Sequence, residues 1–115
     1  MKRELPIINI HGTDFFIDVE SLSLKERANE NNFIPFGYMA DVPGGYEFEY
    51  GLDSRNIHTI WTDEQSVRIK IPELVELDPF GMSQRYQVPM EQLKGKTDFE
   101  IMVDQQAFDL RVNKG

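Results

Sequence analysis

Apolar and polar residues alternate with a period of two on both sides of a short reversal near the start of the chain. Ile8 and Ile10 precede it, and Phe15, Ile17 and Val19 follow, the pattern of half-buried strands. His11-Gly12-Thr13-Asp14 lies between them, with a glycine where a tight turn needs positive φ. A two-residue loop at Gly12-Thr13, with glycine first as in type II′, pairs Ile10 with Phe15 and Ile8 with Ile17. A loop one residue longer sets Ile8 opposite Phe16 and separates the apolar faces, so an even-numbered loop is expected. The opposite face carries Ile7, Asn9, Phe16, Asp18 and Glu20. Ile7 and Phe16 therefore need cover from residues 33–36 or from a C-terminal helix. Left uncovered, they are the first surface to test for a partner.

The alternation lapses at Lys25 to Asn32, a polar stretch that reads as a surface loop. Phe33-Ile34-Pro35-Phe36 returns to the interior as an edge strand or extended crossing, because proline cannot donate to a ladder. After the turn signal Asp41-Val42-Pro43-Gly44-Gly45, Tyr46, Phe48 and Tyr50 alternate with Glu47 and Glu49. A four-residue loop from Leu52 to Arg55 pairs Tyr50 with Ile57, Phe48 with Thr59 and Tyr46 with Trp61. Val67, Ile69 and Ile71 join that aromatic face if the connection over 62–66 is odd-numbered. Glu47, Glu49, His58, Arg68 and Lys70 then share the other face, an acid strand and a base strand flanking the histidine.

Beyond Pro72 the pattern turns helical. Asp78-Pro79 offers an N-cap followed by proline at the first helical position, with a Leu77–Met82 staple. That helix ends near Tyr86-Gln87. A further turn runs from Pro89 to Leu93 and stops at Gly95, a left-handed cap. Thr97 to Glu100 matches a capping box. Over 98–112, Phe99, Met102, Val103, Gln106 and Leu110 make a helical stripe, while Phe99, Ile101 and Val103 also alternate as in a strand. Helix is the favoured reading, and strand remains the alternative.

Composition narrows the function classes more than it selects one. The chain has 115 residues, 40% hydrophobic and 28% charged, which suits a single soluble globular domain over 1–115. It contains no cysteine, so disulfides, thiolate nucleophiles and Cys-type zinc sites are excluded. No apolar run approaches the roughly 20 residues of a membrane helix, and the first residues lack the apolar stretch of a signal peptide. The expected location is cytoplasmic, with no membrane partner. The net charge of −8 argues against a nucleic-acid backbone binder, which normally carries a basic patch. The charge fits solubility, or recognition of a basic partner.

Candidate chemistry is incomplete at every position. His11 and Asp14 flank the first turn and could orient a general base, yet no nucleophile is paired with them. His58 lies within reach of Glu49. With two histidines in the chain, a transition-metal site would rely on carboxylates. Asp41, Asp53 and Asp63 begin no calcium loop, and no metal or other cofactor is expected. Gly95-Lys96-Thr97 ends like a P-loop, but Met90 stands where the earlier glycine belongs. Residues 81–93 resemble the first part of a helix-turn-helix, with Tyr86, Val88 and Leu93 at packing positions. Gln87 replaces the favoured turn glycine, Gly95 cuts the second helix short, and Glu91 stands where phosphates would want a base. The aromatic face with Trp61 could bind a sugar or peptide, although alternating aromatics on a sheet are usually core.

The stretch LPIINIHGTDFFIDV and the segment LVELDPFGMSQRYQVPMEQLKGKTDFEIMVDQQAFDLRV are similar to an uncharacterised bacterial protein family of unknown function, associated with mobile or accessory genes. The resemblance implies no activity and no site. It does imply that residues 113–115 are a tail or linker. The expected fold is α+β. An antiparallel sheet from residues 5–20, 46–50, 57–61 and 67–71 is covered on one face by the helices of the last third. The expected function is a non-enzymatic protein-interaction or accessory module, with Ile7, Phe16, Glu47, Glu49, His58, Arg68 and Lys70 as its candidate surface. The alternatives are a nucleic-acid-linked regulator, through residues 81–93 or as an acidic mimic, and a small hydrolase or isomerase using His11 or His58.

Overall fold

The chain folds as α+β, with hairpin-built antiparallel strands followed by short helices; the computed structural model describes residues 3–61 and 63–103. The strands form two four-stranded sheets rather than the one expected. The first sheet takes β1 (Ile7–Ile10), β2 (Thr13–Asp18), β3 (Ser23–Glu26) and β4 (Asn29–Pro35) in sequential order. The second centres on β6 (Gly45–Gly51), which pairs with β5 (Ala40–Val42), β7 (Asn56–Ile57) and β8 (Ser66–Pro72).

The opening hairpin has an even loop as expected, but its position differs. His11 and Gly12 form the loop, with φ of 48° and 87°, and Ile10 pairs with Thr13, Ile8 with Phe15 and Ile7 with Phe16. Two positive φ values in a two-residue loop are the signature of type I′ rather than II′. Asn9 explains the choice. Its Oδ1 accepts from the Gly12 N–H at 3.0 Å and its Nδ2 donates to Asp14 at 2.8 Å, so the side chain closes the turn from one residue earlier. A shift of two in the pairing sum leaves every side chain on its expected face, and Ile10, Phe15, Ile17 and Val19 are buried together.

The polar stretch from Lys25 to Asn32 is a hairpin, not a loop. Glu26 pairs with Asn29 around the tight turn Arg27-Ala28. Its polarity misleads because β4 is an edge strand, where polar side chains discourage pairing with other chains, and because Glu26 is buried as a hydrogen-bonding group. Pro35 does end an edge strand, as expected.

In the second sheet the four-residue loop from Leu52 to Arg55 is as expected, with Tyr50 opposite Ile57. The ladder then stops. The expected pairs Phe48–Thr59 and Tyr46–Trp61 do not form. Instead β8 lies along the whole of β6 and sets Val67, Ile69 and Ile71 opposite Tyr50, Phe48 and Tyr46. The strands approach closely at Gly45, where an added Cβ would lie 1.9 Å from the Ile71 carbonyl oxygen. Only glycine fits there.

One core joins the sheets. Phe15, Ile17, Leu24 and Ile34 from the first meet Tyr46, Phe48, Tyr50 and Ile71 from the second. Phe15 and Phe48 each contact the Tyr50 ring edge-on at 6.3 Å, the arrangement that aromatic quadrupoles prefer. The helical part closes the core with Leu74, Met82, Tyr86, Leu93 and Ile101. Helix α1 (Leu74–Leu77) leads into α2 (Pro79–Tyr86), whose N-cap Asp78 accepts from the Gly81 N–H at 3.0 Å. Gln87, at φ 54°, ends α2. A 3-10 turn at Met90–Gln92 follows, and Gly95 has the expected positive φ of 74°.

Residues 98–103 are helical. The capping box that starts them is present: Glu100 N–H donates to Thr97 Oγ1 at 3.2 Å, and Thr97 N–H donates to Glu100 Oε1 at 3.2 Å. The rest of the 98–112 stripe and the 113–115 tail lie outside the described residues.

Buried carboxylates tie these parts together. Asp98 is buried, and its Oδ1 accepts from the Val75 N–H at 2.8 Å while its Oδ2 accepts from the Leu74 N–H at 2.7 Å and from the Tyr46 hydroxyl. It thus caps α1 from a distant segment, serving N–H groups that a four-residue helix cannot satisfy itself. Burial, then the Asp98 carboxylate, raises the pKa of the Tyr46 phenol far above its ordinary value. Glu26 plays the matching part between the sheets. Its Oε1 accepts from Asn32 Nδ2 at 3.0 Å and lies 3.4 Å from Arg55 Nε, while Asn56 Nδ2 donates to Asn32 Oδ1 at 2.7 Å and to the Phe33 carbonyl at 2.9 Å.

Candidate surfaces and the Ile60–Trp61 tip

The expected candidate residues separate into two groups on different sheets. Ile7 and Phe16 are cross-strand partners on the outer face of the first sheet, where the registers continue the row through Lys25 to Phe33. Ile7 is 45% exposed and Phe16 is half-buried. Residues 33–36 do not cover them, because Phe33 belongs to the same face and is itself exposed. Partial cover comes instead from Phe80 on α2, and the space between is a groove of about 1280 Å³.

Glu47, Glu49, Arg68 and Lys70 do share one face of the second sheet. Glu47 stands opposite Lys70 and Glu49 opposite Arg68. The Arg68 guanidinium reaches both acids, at 2.5 Å to Glu47 and 3.0 Å to Glu49, and these contacts raise its pKa further. Pairs as exposed as these are screened by solvent and add little to stability. His58 is not flanked by the two charged strands. β8 takes the far edge of β6, so the histidine sits beside the acid strand alone. Its N–H donates to the Glu49 carbonyl at 2.8 Å, and its Nδ1 lies 3.7 Å from Glu64.

Sequence reasoning missed Glu64, the residue that shapes the neighbouring loop. Its Oε1 accepts from the N–H groups of Asp53 and Ser54 at 2.9 and 2.7 Å, and its Oε2 accepts from Ser54 Oγ at 2.8 Å. The Leu52 N–H also donates to the Gln65 carbonyl at 2.9 Å. These bonds tie the returning chain to the 52–55 loop, while β5 holds the β6 edge at residues 45–47 that residues beyond Thr59 would need. The intervening Ile60 and Trp61 are left 88% and 87% exposed. The four-aromatic core face is thereby reduced to Tyr46, Phe48 and Tyr50, all buried. Those three cannot stack on a sugar or peptide, whereas Trp61 is open to a partner.

His11 and Asp14 are not joined by a hydrogen bond among the described residues. His11 stacks on Tyr50 with ring centroids 6.4 Å apart, and Asp14 accepts from Asn9 and faces Arg27 at 3.7 Å. Tyr50 is buried, and its hydroxyl has no hydrogen-bond partner among the described residues. Burial raises its pKa, opposed by the nearby Thr13 and Arg55. Where a second helix of a helix-turn-helix would follow α2 there is the single 3-10 turn at Met90–Gln92. Among the described residues no group of three or more His, Asp or Glu is arranged to hold a metal ion, and no helix is long and apolar enough to cross a membrane.

No protein-family model, curated protein or solved structure matches the chain.

Proposed function

We propose that this protein is a non-enzymatic protein-interaction or accessory module. The observation that carries the reading is the pair Ile60 and Trp61, adjacent and almost fully exposed on a loop whose base is fixed by Glu64. A tryptophan can bury on the order of 150–250 Å², and Trp is enriched among the residues that dominate binding energy at interfaces. Holding the loop base in place lowers the entropy lost when a partner covers the tip. The charged face of Glu47, Glu49, Arg68 and Lys70 is a secondary candidate, suited to orienting a partner more than to holding it.

Affinity capture from the cells of origin at mild salt, with a photo-crosslinker beside the tip, tests the reading. A protein partner crosslinked near Trp61 and lost with Trp61→Ser is the expected result. Failure to capture any protein, together with turnover in an activity screen, would overturn it.

A further inference from the structure

We propose that the groove between the outer face of the first sheet and α2 binds a basic, amphipathic segment of another protein, with apolar side chains seated on Ile7, Phe16 and Phe80 and cations facing Glu4, Glu20 and Glu30. This rests on reading the chain as an interaction module, but it concerns a site separate from the Ile60–Trp61 tip.

The floor and wall are apolar and partly preformed. Ile7 and Phe16 pair across β1 and β2, and Phe80, 46% exposed, stands opposite on α2. The Arg3 guanidinium lies 5.2 Å from the Phe80 ring centroid while its Nη2 bonds Asp78 at 2.5 Å. These two contacts restrain the N-terminal wall. At about 1280 Å³ the groove exceeds the roughly 300–1,000 Å³ of small-molecule pockets, and it suits a length of chain.

The sign of the partner follows by subtraction. Three of the four described cations lining the groove are ion-paired, and the fourth, Arg85, bonds a backbone carbonyl and keeps its charge. Arg3 is held by Asp78, Lys25 by Asp18 at 2.8 Å and Arg27 by Asp14 at 3.7 Å, while Arg85 donates to the Glu20 carbonyl at 2.5 Å. Among the described residues the lining acids Glu4, Glu20 and Glu30 have no ion pair, and all three are exposed. Glu20 and Glu30 do act on Lys25, but its ammonium is bonded to Asp18. With those three pairs cancelled, Glu4, Glu20 and Glu30 outnumber the single charge of Arg85, so the groove keeps an excess of negative charge around an apolar floor, on a protein of net charge −8. Such a surface repels phosphate backbones and anionic membranes and attracts a cationic chain. A second copy of this protein is disfavoured as occupant, because a partner of net charge −8 would meet a groove with excess negative charge.

The test measures anisotropy of three short labelled peptides at physiological salt: alternating Lys and Leu, alternating Lys and Ser, and alternating Glu and Leu. The Lys–Leu peptide is expected to bind about tenfold tighter than either control, a difference of about 1.4 kcal/mol. Ile7→Asp should weaken it by a similar factor. Reversing Glu4, Glu20 and Glu30 to Lys should shift preference to the Glu–Leu peptide, and these exposed sites leave folding intact. Reversing Asp53, Glu76 and Glu91, which do not line the groove, should leave affinity within about twofold. Equal loss from both triple variants would overturn the proposal in favour of net charge alone, and so would indifference to Ile7→Asp or no binding at all. Peptide binding should survive Trp61→Ser. If that variant loses its cellular partner while no peptide engages the groove, the tip reading stands and the groove proposal fails.

Discussion

The two edges of β6 received similar sequences and treated them differently. Along one edge, β8 forms seven registered pairs, and Ile71 is 2% exposed. Along the other, β5 forms three pairs with Gly45, Tyr46 and Glu47 and β7 only two with Tyr50 and Gly51, and Trp61 is 87% exposed. Ile57, Thr59 and Trp61 alternate as cleanly as Val67, Ile69 and Ile71. Alternation thus marks which residues can be strand, while competition for an edge decides which of them are. The competitor is β5: Asp41 already stands opposite Tyr46, where Trp61 would have to pair, and Ala40 stands opposite Glu47.

The sharpest way to break this comparison is to empty the supported side. Phe48→Ala should lower stability by about 3–5 kcal/mol, read as a shift in denaturant midpoint, because Phe48 is buried against Tyr50. A loss under about 1 kcal/mol would mean that the β6–β8 face is not the core. Asp98→Ala comes next, at about 2–3 kcal/mol, since it strands the buried N–H groups of Leu74 and Val75. Hydrogen exchange at those two amides should accelerate more than at β2 amides. The same cluster sets an alkaline limit. The folded state holds the Tyr46 phenol above its ordinary pKa of 10.0, so its contribution is fully present below pH 10.0. Above that pH the unfolded chain ionises first, and stability should decline. The tyrosinate absorbance of Tyr46 should therefore rise with unfolding and not before it, and Tyr46→Phe should flatten that part of the stability profile.

On the weakly supported side the effects shrink. Glu64→Ala should cost about 1–2 kcal/mol and free the loop, lowering the fluorescence anisotropy of Trp61, the only tryptophan. Trp61→Ser should change stability by no more than about 0.5 kcal/mol. In the native protein the Trp61 emission should already resemble that of a solvated indole and be readily quenched. A blue-shifted, protected emission would show that the tip is covered and would erase the contrast between the edges.

Much of the framework was legible because it depends on local patterns. The even first loop, the Leu52–Arg55 reversal, the Asp78 cap, the Gly95 stop and the Thr97–Glu100 box are each written within a few residues. The features that escaped depend on distant partners. Nothing near Glu26 announces that a charged residue will be buried, since Asn32 and Arg55 make that tolerable only after the sheets meet. Glu64 looks like any acid in a polar connection until Ser54 is beside it. Of the candidate surface, the shared face of Ile7 with Phe16 followed from period two. That of Glu47, Glu49, Arg68 and Lys70 followed from period two with an odd connection over 62–66, whereas the direct opposition of acids and bases required β8 to pair with β6. His58 did not follow, because its position depended on which strand claimed the second edge of β6. Phe80 could not be assigned to the groove without knowing where α2 docks.

The long reach of Asp98 also bears on the order in which the protein can assemble during synthesis. The first sheet is built wholly from neighbouring hairpins between residues 7 and 35, contacts of short sequence separation that form quickly. Tyr46 and the start of α1 must wait for a carboxylate 52 and 24 residues downstream. A nascent chain halted before residue 98 should carry a formed first sheet beside a second half that stays open to proteases. Release of residues 98–103 would then convert it in one step, so the protein's vulnerable interval ends when that late segment arrives.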